Sequence, residues 1–199
     1  MILNDFIKTN NSFPVEIDEL SIHRTKDGSL SLYSSNYKEA FHSNNGALKE
    51  SIDKYLKPAQ LDQLSDTKKI TILDVCIGMG YNTGCFLEVL LKRGIEIDWH
   101  GLEIDQRPLN IALKDINFLE RWSPKVLRFF ISLKKRGEWN DGISKGIVHW
   151  GDARKEINEI NNSLKFDVIL LDPFSPSRCP ELWSEEFLSL LSKKLSYEG

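Results

Sequence analysis

Ile70-Thr-Ile-Leu-Asp-Val-Cys-Ile-Gly-Met-Gly-Tyr-Asn82 is the stretch of this sequence that decides the fold. Its first eight residues are mostly apolar or β-branched, which is typical of a parallel strand that is covered on both faces. Gly78 and Gly80 then allow a tight turn and a close approach of the backbone to a ligand. The residues that follow have helical periodicity. Strand, glycine turn and helix together predict a nucleotide-type pocket at the carboxyl end of the strand.

The acid and the spacing of the glycines indicate which kind of ligand this pocket takes. A dinucleotide site usually has the pattern G-x-G-x-x-G, so that a pyrophosphate can lie on the helix N-terminus. Here Thr83 stands at the third position, and Asp74 precedes the glycines. A carboxylate favours a cationic ligand, and S-adenosylmethionine (SAM) carries an ammonium and a sulfonium but no phosphate. The sequence therefore predicts a SAM site; the alternative is a strand-to-helix turn that binds no ligand.

Length and composition are those of one α/β domain with a modest appendage. The chain has 199 residues, of which 41% are hydrophobic and 28% charged, as in an ordinary globular protein. It contains no run of about 18 apolar residues, so we predict no membrane span. Its N-terminus lacks the pattern of a secretory signal. The three cysteines have no metal-ligand spacing and favour a reducing, cytoplasmic environment, so we predict no metal.

The charge of the chain does not itself indicate a nucleic-acid partner. The formal net charge is −3, whereas a nucleic-acid-binding domain usually has a basic surplus. One local basic cluster stands out: Lys125, Arg128, Lys134, Lys135 and Arg136. This cluster is equally typical of a solvated helix face.

The first third of the chain predicts a hairpin and a helix. Asp27-Gly28 separates two short strand-like runs, and this dipeptide supplies the positive φ of a tight turn. A weakly patterned arm precedes the hairpin. A loop over 41–46 and a helix over 47–55 follow it, with Pro58 beyond the helix end. We expect residues 1–60 to form an N-terminal arm, a β-hairpin and a helix that covers a cofactor.

From residue 69 onward, strand-like and helix-like segments alternate. The predicted strands span 70–77, 97–104, 146–150 and 166–171, and the predicted helices span 82–93, 108–115, 118–137, 155–161 and 184–195. This order predicts a Rossmann-like α/β fold with a mostly parallel, doubly wound sheet and right-handed crossovers. We expect residues 61–199 to form a SAM-binding domain.

An acid stands at the end of each predicted strand, where open α/β sheets bind their ligands. Asp74 can steady the ammonium of SAM, directly or through water. Glu103 can accept both ribose hydroxyls, with Asp105 as the competing candidate. Asp152 can accept from the adenine amino group, and Asp172 can face the transferable methyl group. The alternative for each single acid is a helix cap or a turn former.

The fourth strand end carries the groups that suit a transfer reaction. Methyl transfer to an amine needs alignment and a neutral nucleophile, because the sulfonium is already activated. Asp172, beside the rigid Pro173, is a candidate positioning group or proton acceptor. Phe174 and Trp183 can stack on a base or ring, or can be core aromatics.

These residues resemble a known family. Asp167-Val-Ile-Leu-Leu-Asp-Pro-Phe-Ser-Pro-Ser-Arg-Cys-Pro-Glu-Leu-Trp183 resembles the D-x-x-x-x-D-x-F-x-P-x-x-x-P-x-x-W signature of MnmC-like tRNA methyltransferases. Residues 74–82 are similar to that family's E-I-G-F-G-T-G-x-N, and residues 25–29, 33–34, 41–47 and 50–51 to its leader. The similar blocks lie within about residues 20–199.

The resemblance implies a class I SAM-methyltransferase fold and a reaction. The family methylates the aminomethyl group on the wobble uridine of certain tRNAs, towards 5-methylaminomethyl-2-thiouridine. It implies catalytic roles for Asp172 and Phe174. It implies SAM contacts from Asp74, Gly78, Met79, Gly80, Asn82, Glu103, Asp152, Ala153, His42, Ser43 and Glu50. Some members fuse this domain to an FAD-dependent oxidase, and the length here leads us to expect the stand-alone transferase.

The chain also departs from the family pattern. Asp74 replaces a more usual Glu, and Met79 stands where Thr is common, so that a hydroxyl contact is lost. The family's C-terminal block is absent, so we expect a sheet without its C-terminal strands and a question over substrate binding. Two alternative functions stay open: a non-catalytic SAM- or RNA-binding module, and an aminopropyltransferase-like enzyme.

Overall fold

A three-stranded antiparallel sheet forms the N-terminal part of the chain. Residues 19–63, 68–197 and 199 are described by a computed structural model, and the arm predicted before the hairpin lies largely outside them. The strands are β1 (Leu20–Arg24), β2 (Leu30–Ser34) and β3 (Glu39–Ala40), in that order in the sheet. Gly28 has a φ of 81° in the first turn, as the Asp-Gly dipeptide predicts.

A helical segment follows this sheet and changes its winding halfway. Helix α1 (Ala47–Glu50) continues directly into a π-helical turn over Ser51–Leu56. The Asp27 carboxylate accepts the amide of Lys49 at 3.3 Å and so ties the hairpin turn to the start of the helix. The predicted helix over 47–55 is therefore present, but its second half is wider than an α-helix. A short 3₁₀ turn, Leu61–Gln63, comes next.

The central sheet has five strands, of which four are parallel. They are β4 (Lys69–Val75), β5 (Glu96–Glu103), β6 (Glu138–Asn140), β7 (Lys145–Trp150) and β8 (Val168–Leu171). The order is β6-β7-β5-β4-β8, and only β6 runs antiparallel to its neighbour. The chain passes from β4 out to β5 and β7 and then returns to β8 on the other side of β4. Such a reversal opens a crevice at the carboxyl ends of the strands.

Helices cover both faces of this sheet. They are α2 (Tyr81–Lys92), α3 (Arg107–Ala112), α4 (Ile116–Leu119), α5 (Pro124–Arg136), α6 (Ala153–Glu159) and α7 (Glu185–Lys194). Along β4, Ile70 and Ile72 join a core with α2 and α5, whereas Leu73 and Val75 join a second core with α6 and α7. The predicted mostly parallel, Rossmann-like fold with an N-terminal hairpin is thus confirmed.

Three local expectations differ from the structure. The single helix predicted over 118–137 is two helices, because Ser123 caps α5 and Pro124 occupies its first turn. The first strand ends at Val75 rather than at residue 77, because Cys76 turns away with a φ of 68°. The short antiparallel β6 has no counterpart in the sequence prediction. Within the described ranges, no helix is long and apolar enough to cross a membrane.

Candidate active site

A cavity of about 650 Å³ opens at the carboxyl ends of β4, β5 and β8. This volume is within the range of small-molecule sites. The floor comes from the glycine turn and the ends of the strands. The roof comes from the N-terminal part, through residues 37–44 and the helical segment that carries Glu50 and Tyr55. The cavity therefore lies between the N-terminal part of the chain and the central sheet.

The glycines in and after this turn have two different structural roles. Gly78 has a φ of 55° and lines the cavity, and a Cβ there would meet only the Phe41 ring, at 3.5 Å. Gly80 has a φ of 88°, but a Cβ there would lie 2.8 Å from the Phe130 ring. Gly84 packs against Trp122, which a Cβ would approach to 2.6 Å. Only Gly78 faces the cavity, and the other two glycines admit core aromatics.

Glu103 is fixed at the end of β5 by backbone amides. Its Oε1 accepts from Ile104 at 2.7 Å and from Asp105 at 2.8 Å, and its Oε2 accepts from Gly78 at 2.8 Å. Burial raises the pKa of this carboxyl, and the amide donors oppose that rise. Oε2 retains one lone pair for a ligand hydroxyl. The competing Asp105 also lines the cavity, but its carboxylate is bound by the Arg107 guanidinium.

Asp172 lies at the end of β8 with a donor on each oxygen. The Tyr55 hydroxyl donates to Oδ1 at 2.5 Å, and the Asn82 amide nitrogen donates to Oδ2 at 2.8 Å. The Asp172 amide donates to the Val75 carbonyl at 3.1 Å, which anchors the residue to β4. Burial raises the pKa of Asp172, and the two donors oppose this. The result is an oriented carboxyl group that can take up a proton.

Asp74 lies beneath the cavity and is not part of its lining. It is 0% exposed, and its Oδ2 accepts from the Thr83 hydroxyl. Its Oδ1 has no hydrogen-bond partner among the described residues. Burial, together with the nearby Asp172 and Glu103, raises the pKa of Asp74 to about 7. Asp74, from which the sequence analysis predicts a cationic ligand, is therefore a buried group behind the cavity wall.

Aromatic rings form the end of the cavity beyond Asp172. Phe174 stacks on Tyr37 with ring centroids 4.3 Å apart, and Phe41 meets Phe174 edge-on at 5.0 Å. The Trp183 indole donates to the Phe174 carbonyl at 2.8 Å and also lines the cavity. These rings offer an apolar surface on which a flat group can stack.

The segment after β3 contributes polar groups to the roof. His42 Nδ1 lies 3.1 Å from the Ser31 hydroxyl, and burial lowers the pKa of His42 to about 4, so the ring is neutral at pH 7. Glu50 accepts from the Ser43 amide at 2.6 Å and from the Lys54 ammonium. Burial alone would raise the pKa of Glu50, but these donors lower it below its usual value.

Most of the residues singled out from the sequence meet at this cavity. The lining includes His42, Ser43, Glu50, Gly78, Met79, Asn82, Glu103, Asp172 and Phe174. Asp74, Gly80, Asp152 and Ala153 are not part of it. Asp152 caps α6 by accepting the Arg154 amide at 3.0 Å and also binds the Arg154 guanidinium. An adenine contact for Asp152 and a cofactor contact for Ala153 stay predictions.

The residues of this site that the sequence does not predict include Tyr37, which stacks on Phe174, and two residues with polar contacts to distant parts of the chain. Glu39 lines the cavity from β3, where it accepts the Ser175 hydroxyl at 2.6 Å. Tyr55 reaches Asp172 from the π-helical turn. Neither residue carries a local signal, because each is placed by contacts with residues more than 100 positions away.

The residues present fit a SAM molecule. Asn82 lines the cavity, and its Oδ1 is a buried acceptor atom without a partner in the described ranges, which suits a donor of an ammonium. The free lone pair of Glu103 Oε2 suits a ribose hydroxyl. Around the cavity, carboxylates outnumber cations: Glu39, Glu50, Glu103, Asp105 and Asp172 against Lys54. That balance favours a cationic ligand.

Comparison with known proteins also indicates SAM as the cofactor. A family model described as S-adenosyl-L-methionine-dependent methyltransferase matches residues 109–199. An uncharacterized protein of Methanocaldococcus jannaschii is 35% identical over 186 residues, which is 92% of this chain and 49% of that protein. The tRNA 5-methylaminomethyl-2-thiouridine biosynthesis bifunctional protein MnmC of Campylobacter hominis is 24% identical over 170 residues, covering 81% of this chain and 24% of that protein.

A solved structure matches most of the fold. The crystal structure of MnmC2 from Aquifex aeolicus superposes with a TM-score of 0.78 and 30% identity, over 93% of this chain and 59% of that one. The chain thus spans half or less of the curated relatives it matches. The residues that the family model matches include the whole fourth-strand signature, residues 167–183. The chain is therefore similar to MnmC-like SAM-dependent methyltransferases in sequence and in fold.

Proposed function

We propose that this chain transfers a methyl group from SAM to the aminomethyl group of a tRNA wobble uridine. The observation that carries the proposal is Asp172, an oriented and half-buried carboxyl between an acid-lined cavity and an aromatic end. The Campylobacter hominis relative is named for the biosynthesis of 5-methylaminomethyl-2-thiouridine in tRNA. An aminomethyl group is a cation at neutral pH, and the excess of carboxylates around the cavity favours such a substrate.

In the proposed reaction the protein removes a proton from the substrate and aligns the substrate amine with the methyl group. The substrate ammonium first loses a proton, and the Asp172 carboxylate is the acceptor within the cavity. SAM supplies a methyl group on a sulfonium: the amine lone pair forms the new N–C bond as the C–S bond breaks, and that electron pair stays on sulfur. Phe174 and its stacked partner Tyr37 support the uracil ring, so that the amine is held in line.

The proposed cofactor contacts follow from the geometry of the lining. Glu103 accepts a ribose hydroxyl through Oε2, which has one free lone pair. Asn82 Oδ1 accepts from the ammonium end of SAM, and Asp74 sets the charge of the wall behind it. His42 and Ser43 close the roof. We also propose the division into an N-terminal part over 1–60 and a cofactor domain over 61–199.

The test removes the carboxyl of Asp172. We expect Asp172→Ala to reduce methyl transfer to tRNA from a modification-deficient strain by about 100-fold or more, because a proton acceptor contributes about 10²–10⁴. SAM affinity, measured by calorimetry, should stay within about tenfold of the wild type. Glu159→Ala removes an exposed carboxylate from α6 and should leave both quantities unchanged.

Other outcomes separate the alternatives. A parallel loss of SAM binding in Asp172→Ala would place Asp172 in the cofactor site rather than at the substrate. SAM binding by the wild type without transfer to any tRNA would support a non-catalytic module. Because carboxylates line the cavity, decarboxylated SAM with a diamine is the matching control; product formed from it would indicate an aminopropyltransferase.

A further inference from the structure

The helical segment above the cavity has an unusual winding at one place. Over Ser51–Leu56 the helix is a π-helix, in which the Lys57 amide bonds to the Ile52 carbonyl at 2.9 Å, five residues back. Such turns cost hydrogen-bond geometry and recur at functional sites, because they change the direction of a side chain. Tyr55 lies within this turn and lines the cavity. The irregular winding therefore coincides with the one tyrosine that reaches Asp172 among the described residues.

The contact that Tyr55 makes has a defined direction. Its hydroxyl lies 2.5 Å from Asp172 Oδ1 and 3.4 Å from the Leu171 carbonyl oxygen. A carbonyl oxygen is always an acceptor, and an ionised carboxylate has no proton to donate, so the hydroxyl is the donor to both atoms. Burial and the neighbouring Asp172 raise the pKa of Tyr55 far above its usual value, so the hydroxyl keeps its proton. Tyr55 is thus a permanent donor to the carboxylate.

We propose that Tyr55 is a positioning residue for methyl transfer, whose hydroxyl holds the Asp172 carboxylate ionised and aimed at the substrate amine. The inference rests on the proposed function, since it gives Asp172 an amine to deprotonate. Asn82 holds the other oxygen of the same carboxylate at 2.8 Å. With both donors in place the carboxylate cannot rotate, and the second lone pair of each oxygen stays available to the substrate.

The two donors differ in what else they do. Asn82 follows the glycine turn and has an unpartnered Oδ1, so its replacement would disturb the cofactor as well. Tyr55 contributes its hydroxyl from outside the glycine turn and strand ends. Replacing Tyr55 with Phe removes one oxygen and leaves the ring in place. Burial and the charge of Glu50 raise the pKa of Asp172, whereas the Tyr55 and Asn82 donors and the charge of Lys54 lower it. The expected consequence of losing the Tyr55 donor is a carboxyl that binds its proton more firmly.

The experiment compares Tyr55→Phe with the wild type and with Tyr33→Phe. Tyr33 is 41% exposed on β2 and does not line the cavity, so it is a matched loss of a hydroxyl. We expect the acid limb of the kcat–pH profile to move to higher pH in Tyr55→Phe, with SAM affinity within about threefold of the wild type. The kcat of Tyr55→Phe should therefore be reduced near neutral pH and should partly recover at alkaline pH, where Asp172 is ionised. Tyr33→Phe should leave the profile in place.

A second measurement does not depend on turnover. In protein labelled with ¹³C at the aspartate carboxyls, the Asp172 resonance, assigned through Asp172→Asn, should titrate at higher pH in Tyr55→Phe than in the wild type. An unmoved titration together with an unmoved kcat–pH profile would overturn the role of Tyr55. If the wild type transfers no methyl group to tRNA while the titration moves as expected, the proposed function fails but the Tyr55–Asp172 coupling holds.

Discussion

At the scale of single residues, Asp74 is the group whose environment most changes its chemistry. It is fully buried, it accepts only one hydrogen bond among the described residues, and Asp172 and Glu103 lie near enough to act on it. The carboxyl therefore carries a pKa of about 7 rather than its usual value near 4. An ionisable group of this kind makes stability depend on pH.

Asp74→Asn should change that dependence in a defined direction. Because folding raises the pKa of Asp74, the folded chain holds this proton more tightly than the unfolded chain does. Stability contributed by the protonated form is therefore present below about pH 4 and is lost as pH rises towards about 7. The loss is at most about 1.4 kcal/mol per pH unit.

Urea denaturation without cofactor at pH 5 and pH 8 measures this effect. We expect Asp74→Asn to be more stable relative to the wild type at pH 8 than at pH 5. Asp141→Asn is the control, because backbone amides lower rather than raise the pKa of Asp141. An equal difference between Asp74→Asn and the wild type at both pH values would contradict the buried state of Asp74.

The chemistry of strand ends is the part of the site that sequence can predict. Glu103 and Asp172 follow strands whose composition marks them, and parallel strands bring their carboxyl ends to one edge. Tyr55 and Glu39 cannot be found in this way, because a partner more than 100 residues away gives each its role. Asp152 shows the opposite case: a strand-end acid that the helix α6 uses as its cap.

At the scale of elements, α2 depends on close packing against the segment between α4 and α5. Gly84 on α2 faces Trp122, whose ring is in turn held by Tyr81, Phe118 and Phe130. This packing explains a glycine that stands outside the G-x-G pattern. The third glycine of a dinucleotide motif brings helix and sheet together, whereas Gly84 makes room for an indole.

Gly84→Ala should therefore destabilise the protein despite the better helix propensity of alanine. The new Cβ would lie 2.6 Å from Trp122, and the packed ring cannot move freely. We expect an overpacking cost of about 1–3 kcal/mol, which exceeds the gain of about 1 kcal/mol from replacing glycine in a helix. Thermal denaturation measures the net loss. Lys92→Ala on the same helix is exposed and should be close to neutral; a stabilised Gly84→Ala would mean that Trp122 yields.

The elements themselves were predictable to different degrees. The strand β4 carries a mostly apolar run, α2 carries a helical periodicity, and the hairpin carries its Asp-Gly turn. The break before α5 lies at Ser123-Pro124, a helix-start signal that the predicted single helix over 118–137 does not take into account. The three residues of β6 are too few to show a period of two, and they are a strand because β7 offers a free edge.

At the scale of the whole molecule, polar contacts tie the N-terminal part to the cofactor domain. Glu39 on β3 accepts the amide and the hydroxyl of Ser175, and Arg24 on β1 forms an ion pair with Asp115. The first contact lies beside the aromatic end of the cavity. The roof of the site is therefore held by the loop that also carries Asp172.

Glu39→Ala should loosen that roof without unfolding the core. Removing the acceptor leaves the Ser175 amide without its partner and the Ser175 hydroxyl with the Ser177 hydroxyl alone, a cost of about 1–3 kcal/mol. Amide hydrogen exchange in β1–β3 should become faster, while exchange in β4 and β5 stays as in the wild type. Glu138→Ala on β6 is the exposed control. Equal acceleration in the N-terminal and central sheets would mean that they unfold as one unit.

The bond between Tyr55 and Asp172 also has a consequence for how the protein is made. It joins positions 117 residues apart, and the contact between Glu39 and Ser175 joins positions 136 apart. At a synthesis rate of about 5–20 residues per second, the ribosome adds Asp172 roughly 6–23 s after Tyr55. During that interval, the residues of the nascent hairpin and helix that face the cavity lack their partners from β8 and the loop after it. A nascent chain can thus acquire this cofactor site only after its fourth parallel strand has left the ribosome.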